Sequence, residues 1–293
     1  MNLKSKWCGN VNIPEGQIND YRVRHIKHEA GACLPIINQR TALFSGSKVT
    51  KVTFAEPTTW HELSYDGGVW MTDQPIEQYQ HDEMLTCMAF ADHVLVGGLG
   101  LGYAVTTLVR DLDVSHVTVV DVSDEVIRLV WPHIDPDVKE CATIVNADLF
   151  DYLDKAKADG EEFDYAFYDI WQSDGERTFF KTVCPLREKS VGIVSDGNIL
   201  CWNEDIMRGQ LYIGLVTRIQ LMAAGQLKSS EIETLVDGCP EEKQYSDYFN
   251  WSRPLFKAIA DGRLTYEEAQ LLARDYVDRV GRPLVDLEMW LKN

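Results

Sequence analysis

The chain lacks the features that most directly announce a protein class. None of its seven cysteines (Cys8, Cys33, Cys87, Cys141, Cys184, Cys201, Cys239) forms a C-x-x-C pair. Their odd number and wide spacing argue against a disulfide scaffold or a zinc ribbon. No apolar run approaches the ~18–20 residues needed to span a bilayer, and the opening segment MNLKSKWCGNVNIPEG has no secretory h-region. Basic residues are scarce: 28 Lys and Arg stand against 46 Asp and Glu, a net charge of -18 with no dense Lys/Arg run. Such a surface repels phosphate backbones, so neither nucleic acid nor membrane is expected as a partner. A small neutral or cationic acceptor suits the charge better, and the expected setting is soluble and cytoplasmic, with a homo-oligomer possible.

What is present is globular. The chain has 293 residues, 45% of them hydrophobic, enough for a large domain with an appendage or for two domains. Residues 1–85 are rich in β-branched and aromatic residues broken by turn signals such as Ser45-Gly46-Ser47, which predicts short antiparallel strands. Leu63-Ser64-Tyr65 and Val69-Trp70-Met71 flank an Asp66-Gly67 pair that favours a tight hairpin. Residues 86–202 change character. Apolar runs without alternation (93–97, 117–121, 142–145, 165–169 and 191–195) recur at intervals of about 20–26 residues, with helix-compatible segments between them. Strands buried on both faces read this way, so the segment predicts a doubly wound, mainly parallel α/β sheet of Rossmann-like type. Residues 203–293 read as a mainly helical extension that completes or covers this core. Its best-marked helix begins at Thr265, with Glu268 placed for a capping box, and is expected to stop at Gly281.

The strongest site signal is Val94-Leu95-Val96 running into Gly97-Gly98-Leu99-Gly100-Leu101-Gly102, a buried strand, a glycine-rich turn and then a helix. Glycine lets the backbone approach a ligand and presents helix N-terminal amides to it. A dinucleotide fingerprint starting at Gly98 needs Gly or Ala at position 103, where Tyr103 stands, so a nicotinamide-dependent oxidoreductase is disfavoured. Downstream, the second strand ends at Asp121, 19 residues after Gly102, where a carboxylate can bind both hydroxyls of a ribose. Asn146-Ala147-Asp148 follows the third strand, and the fourth ends at Asp169. Three acids at three successive strand ends lie on one edge of a parallel sheet, where open α/β folds bind ligands. Taken singly, Asp148 and Asp169 can equally be helix N-caps, and Asp121 less readily so.

Lesser candidates are structural by default. His25, His28 and Cys33 lack a second ligand pair at metal-site spacing, so no metal is expected. Trp171 can stack on a ligand or pack in the core. Cys201 has no histidine near it in sequence to make it a nucleophile.

The order G-x-G-x-G, acid after strand two, Ala-Asp after strand three and Asp after strand four resembles the class I S-adenosylmethionine-dependent methyltransferase fold. Within it, the chain is most similar to spermidine synthases and spermidine-synthase-like proteins over roughly residues 40–200. Their β-rich N-terminal domain carries a Leu-Asp-Gly hairpin and an Asp-Glu-x-x-Tyr-His-Glu segment before Gly-Gly-Gly-Asp-Gly. Here these correspond to Tyr65-Asp66-Gly67, to Glu77-Gln78-Tyr79-Gln80-His81-Asp82-Glu83 and to the glycine loop. The resemblance implies that Gly98, Gly100, Gly102, Asp121 and Asp148 hold S-adenosylmethionine or its decarboxylated form. Asp121 would take the ribose and Asp148 the adenine amino group. Asp169 would orient or deprotonate the attacking group, and His81, Glu83, Trp171 and Gln172 would face the acceptor. The departures are equally specific. Leu101 replaces the aspartate of Gly-Gly-Gly-Asp-Gly, Gln172 the second aspartate of Asp-x-x-Asp, His81 the tyrosine of Tyr-His-Glu, and Val96 stands where methyltransferases usually carry an acid. Methyl transfer to a small molecule is therefore the leading expectation. Aminopropyl transfer is the alternative, and a non-catalytic binding or scaffold protein a third reading.

Overall fold

The computed structural model describes residues 13–37, 49–172, 178–228 and 246–279. Its first layer is antiparallel. Strands β1 (Gly16–Ile18), β2 (Tyr21–His28), β5 (Thr58–Tyr65) and β6 (Gly68–Thr72) form a four-stranded sheet in the order β1-β2-β5-β6. Strands β3 (Cys33–Ile37) and β4 (Val49–Thr53) pair as a separate ribbon. The β5–β6 hairpin turns at Asp66 and Gly67, whose φ values of 48° and 75° are the positive pair that a two-residue primed turn demands. A register shift between Leu63 and Ser64 re-aims the hairpin, and Leu63 faces Met71 across it. The expected turn at Ser45–Ser47 lies outside the described residues.

Helix α1 (Pro75–Leu85) starts with proline at its first position and buries Gln78, His81 and Leu85, a largely polar inward face. The chain then enters a five-stranded, all-parallel sheet. Strands β7 (His93–Gly97), β8 (His116–Asp121), β9 (Ala142–Asn146), β10 (Tyr165–Tyr168) and β11 (Ile199–Cys201) lie in the order β11-β10-β7-β8-β9. Between them run α2 (Tyr103–Arg110), α3 (Asp124–Val130), α4 (Pro136–Glu140) and α5 (Leu149–Asp159). This is a doubly wound Rossmann-like α/β fold. The chain steps outward from β7 to β9 and then returns to the other side of β7, so the order reverses between β7 and β10. Ligands bind at the strand carboxyl ends at such a switch point.

One strand differs from expectation. The apolar run at 191–195 is not a strand: Val194 makes only isolated bridges to Phe163 and Val191. Gly192 adopts a φ of 93°, which breaks the extended backbone, and Val191 is exposed. The fifth strand is instead Ile199–Cys201, paired in parallel with Ala166–Tyr168.

The chain divides into two compact units, Met1–Gln172 with Lys189–Trp202, and Ser173–Glu188 with Asn203–Asn293. The first contains both sheets and a continuous core that joins Val23 and Leu63 of the antiparallel layer to Val94, Val117 and Phe167 of the parallel one. The second is helical in its described residues, with α6 (Cys184–Ser190) beginning in it, followed by α7 (Glu204–Ala223), α8 (Ser246–Ala260) and α9 (Tyr266–Asp278). Within this unit Glu204 accepts hydrogen bonds from Arg187 and Arg208. Burial alone would raise its pKa, but the two guanidinium groups hold it below the usual carboxylate range. Helix α9 starts at Thr265 with both halves of the capping box formed and ends at Asp278. The predicted stop at Gly281 lies outside the described residues. Among the described residues no helix is long and apolar enough to cross a membrane.

Candidate functional site

The site begins where β7 runs out of room. A Cβ on Gly98 would lie 2.5 Å from the backbone oxygen of Asp169, and Gly98 holds a φ of 95°, so both space and conformation require glycine. Gly98 N–H donates to Val120 O at 2.8 Å, and Asp169 N–H donates to Gly97 O at 2.9 Å. These bonds pin the loop between the ends of β8 and β10. Gly100 is covered by the Met71 thioether: a Cβ there would approach the Met71 sulfur to 2.6 Å. Gly102 holds a φ of 77°. It caps α2, its missing Cβ makes room for the Ile134 side chain, and it lines neither cavity described below. A Cβ there would collide with Ile134 at 2.4 Å, so packing alone already requires glycine.

The three strand-end acids differ in how they are held. Asp121 accepts from Leu99 N–H through Oδ2 and from Ser123 N–H through Oδ1, both at 2.8 Å. Burial raises its pKa, while the amides of Leu99, Ser123 and Gly100 oppose that rise. Each oxygen keeps a further lone pair, so the carboxylate is oriented by the loop and can still receive a diol. Asp148 is the N-cap of α5, with Oδ1 accepting from Phe150 N–H at 2.8 Å and Asp151 N–H at 3.4 Å. Its second oxygen makes no such bond, so capping and ligand binding are compatible in one side chain. Asp169 is mostly buried and points toward His81, its Oδ2 lying 3.7 Å from Nε2. That distance is too long for a hydrogen bond, which leaves neither group committed to the other.

These residues line two adjoining cavities. The larger, a cleft of about 270 Å³, includes Tyr21, Trp70, Asp121, Asp148 and Asp169. A smaller chamber of about 20 Å³, room for about one water molecule, includes Glu77, Gln78, His81 and Tyr103. Both share Met71, Gly98, Gly100 and Asp169.

The chamber owes its chemistry to α1. His81 and Glu77 are four residues apart and therefore on one helix face. His81 Nδ1 lies 2.9 Å from Glu77 O, and since a carbonyl can only accept, Nδ1 carries the hydrogen and Nε2 is turned toward Asp169. The ring stacks on Trp202 with centroids 4.0 Å apart. Glu77 receives the Thr72 hydroxyl at 2.5 Å. Burial pushes its carboxyl up to about 7, with Thr72 and His81 opposing the rise and Asp169 adding to it. In the chamber wall itself, Asp73 accepts His61 Nδ1 at 2.6 Å, and Gln78 Nε2 donates to Asp73 O at 2.6 Å. Tyr103, the residue that breaks the dinucleotide fingerprint, donates its hydroxyl to Asp82 at 2.7 Å, and burial together with that acid raises its pKa.

The remaining predicted residues are placed less centrally. Glu83 is exposed, accepts the Tyr79 hydroxyl at 2.7 Å and lines neither cavity, because it projects from the outer face of α1. Gln172 is exposed and donates through Nε2 to Val69 O at 3.0 Å, tying the segment after Asp169 to β6. Trp171 lines neither cavity; its indole Nε1 is buried and has no hydrogen-bond partner among the described residues. Cys201 is buried in β11, outside both cavities. His25 contacts Ile13 O through Nε2 at 2.7 Å, and His28 stacks on Trp60. No group of three or more His, Cys, Asp or Glu residues placed to hold a metal occurs among the described residues. Sequence reasoning quoted Glu77 but gave it no role, and it missed Met71 and Trp202. The four-residue spacing of Glu77 and His81 was a usable signal; Met71 and Trp202 had none, since only tertiary folding brings them to the loop.

No protein-family model matches the chain, and no curated protein matches it. Solved structures that resemble it include one named as a candidate SAM-dependent methyltransferase from Streptococcus mutans, with 17% identity and a TM-score of 0.33. The match covers 48% of this chain and only 37% of that one. The fold assignment stands on the strand order and the parallel register.

Proposed function

We propose that the cleft binds an adenosyl sulfonium, S-adenosylmethionine, and that the chain transfers its methyl group to a small acceptor that approaches from the Glu77–His81 end of the site. The observation that carries the reading is Asp121, a carboxylate fixed by the glycine loop's own amide at the mouth of a nucleoside-sized cleft that continues past Gly98 and Gly100 to His81 and Asp169. The donor set fits the ligand. Asp121 offers acceptors to a ribose diol, Asp148 has one uncommitted carboxylate oxygen for an amino group, and Tyr21 and Trp70 supply aromatic faces. When bound, the sulfonium supplies an already activated carbon, so in-line displacement needs little further activation.

The residues of this chain would then align the acceptor and take its proton. His81 is suited to this, because Nδ1–H is anchored on Glu77 O and Nε2 is left to accept a proton within reach of Asp169. The stacked Trp202 restricts the ring, and the imidazolium formed would face the Asp169 carboxylate. Holding reactants in such geometry is the main contribution open to an enzyme whose donor is pre-activated.

Aminopropyl transfer is the second reading, and Glu77 favours it. The acid missing at Leu101 is not restored locally, since Leu101 is 1% exposed within the core. Glu77, however, adds a carboxyl to the chamber beside Asp169. Incubation with S-adenosylmethionine or with decarboxylated S-adenosylmethionine plus putrescine, followed by product detection by mass, separates the readings. Methyl transfer predicts weak or absent spermidine formation, reduced ~10²-fold or more by loss of two charge-assisted contacts. Rapid spermidine formation would replace the methyltransferase reading with the aminopropyl one. Failure of the chain to bind either donor in calorimetry would favour a scaffold.

A further inference from the structure

Met71 is the one side chain that both cavities share from the antiparallel sheet. The other shared residues, Gly98, Gly100 and Asp169, belong to strand ends of the parallel sheet. Its thioether lies flat on Gly100, with both the sulfur and the terminal methyl within 2.7 Å of where a Cβ would stand. The strand that carries it is held on each side. Val69 O receives Gln172 Nε2, and the Thr72 hydroxyl is bound by Glu77. The backbone at Met71 is thus fixed, whereas its side chain has three rotatable bonds and a soft sulfur that repacks readily. A partition that is anchored at its root and mobile at its tip separates the Asp121 end of the site from the Glu77–His81 end.

We propose that Met71 is a specificity-determining gate, which limits the substituent that a nucleoside bound at Asp121 can carry across Gly100 toward the chamber. The proposal rests on the adenosyl reading of the cleft. On this proposal a thionucleoside ending at a methyl group leaves Met71 seated on the loop. A ligand with an amino-acid tail crossing Gly100 must turn the Met71 side chain away from its seat on the loop. The residue therefore sets the relative, not the absolute, affinity for long and short substituents. It does so without any charge, which distinguishes it from the acids around it.

Calorimetry with methylthioadenosine and S-adenosylmethionine, on the wild-type chain and on Met71→Ala, tests this. Removing the thioether should shift the affinity ratio toward S-adenosylmethionine by about fivefold, the equivalent of one displaced side-chain rotamer, with methylthioadenosine affinity changing less. If Met71→Ala loses its cooperative melt, Met71→Leu carries the test. Its side chain ends one atom short of the methionine methyl, and a shift of about twofold in the same direction is expected. Binding of both ligands with an unchanged ratio would overturn the gate and leave the adenosyl reading intact. Binding of neither ligand to the wild-type chain would overturn both.

Discussion

Glu77→Gln should make the protein more stable at neutral pH. Burial lifts this carboxyl from its ordinary 4.5 to about 7, and the hydrogen bond from Thr72 and the nearby His81 only partly offset that. A group whose folded pKa is raised favours its protonated form in the fold. No penalty exists below about pH 4.5, where folded and unfolded chains both carry the proton. The penalty grows as pH rises from 4.5 to 7 and is constant above that. At about 1.4 kcal/mol per pH unit, the full penalty is about 3 kcal/mol. Glutamine keeps an oxygen for the Thr72 hydroxyl and never ionises, so it escapes the penalty. Urea denaturation of both chains at intervals from pH 4.5 to 8 reads the difference directly. The variant should gain on the wild type across that window, by up to about 3 kcal/mol, and the gain should level off above pH 7. A difference that stays flat with pH would mean that Glu77 titrates as an ordinary surface acid, and that the chamber is wet enough to hold two carboxylates.

Other outcomes follow from the strand-end acids and from α1. Asp121→Ala should weaken S-adenosylmethionine at least ~10-fold in calorimetry, since it leaves both the diol and the Leu99 amide without an acceptor. Asp148→Asn should leave the melting temperature unchanged, because asparagine caps as well as aspartate, yet weaken the adenosyl ligand several-fold; full affinity would reduce Asp148 to a helix cap. His81→Gln should lower turnover ~10²-fold while S-adenosylmethionine affinity stays within about twofold, and an unchanged rate would remove the imidazole from proton transfer.

Much of this arrangement was legible in the sequence because local rules governed it. The Asp66-Gly67 turn, the Thr265–Glu268 capping box and the first four parallel strands each rest on a few adjacent residues, and each formed as those residues predict. The strand-end acids were visible for the same reason: a buried apolar run that stops at a carboxylate has few ways to fold. Misreadings arose where a local signal was outvoted. The run at 191–195 is apolar enough for a strand, but Gly192 breaks it, and the three-residue β11 is too short to announce itself. Helix α1 turns Gln78 and His81 inward, so its buried face is polar and a search for an apolar stripe cannot see it.

The two halves of the site come from different parts of the chain, and that has a consequence for what each can change. The side proposed for the nucleoside is built at the ends of β7, β8 and β9, where Gly98 is held by a β8 carbonyl, Asp121 by the Leu99 and Ser123 amides and Asp148 by the first turn of α5. The side proposed for the acceptor is built from β6 and α1, which contribute Met71, Glu77 and His81. The first group is determined by the geometry of a doubly wound sheet at its switch point and leaves little latitude, since a Cβ at Gly98 already meets the backbone of Asp169. The second group hangs on a hairpin whose register is set by one irregularity at Leu63–Ser64 and on a helix whose inward positions are polar. Side chains there can be exchanged without disturbing the sheet. Substitutions in β6 and α1 should accordingly alter which group is transferred and to what, while those at the strand ends should alter whether the donor binds at all. Additivity between the two sides is expected where they do not touch, and its failure is expected for Met71 with Gly100, for His81 with Asp169 and for Glu77 with Asp169, the pairs that meet across the boundary.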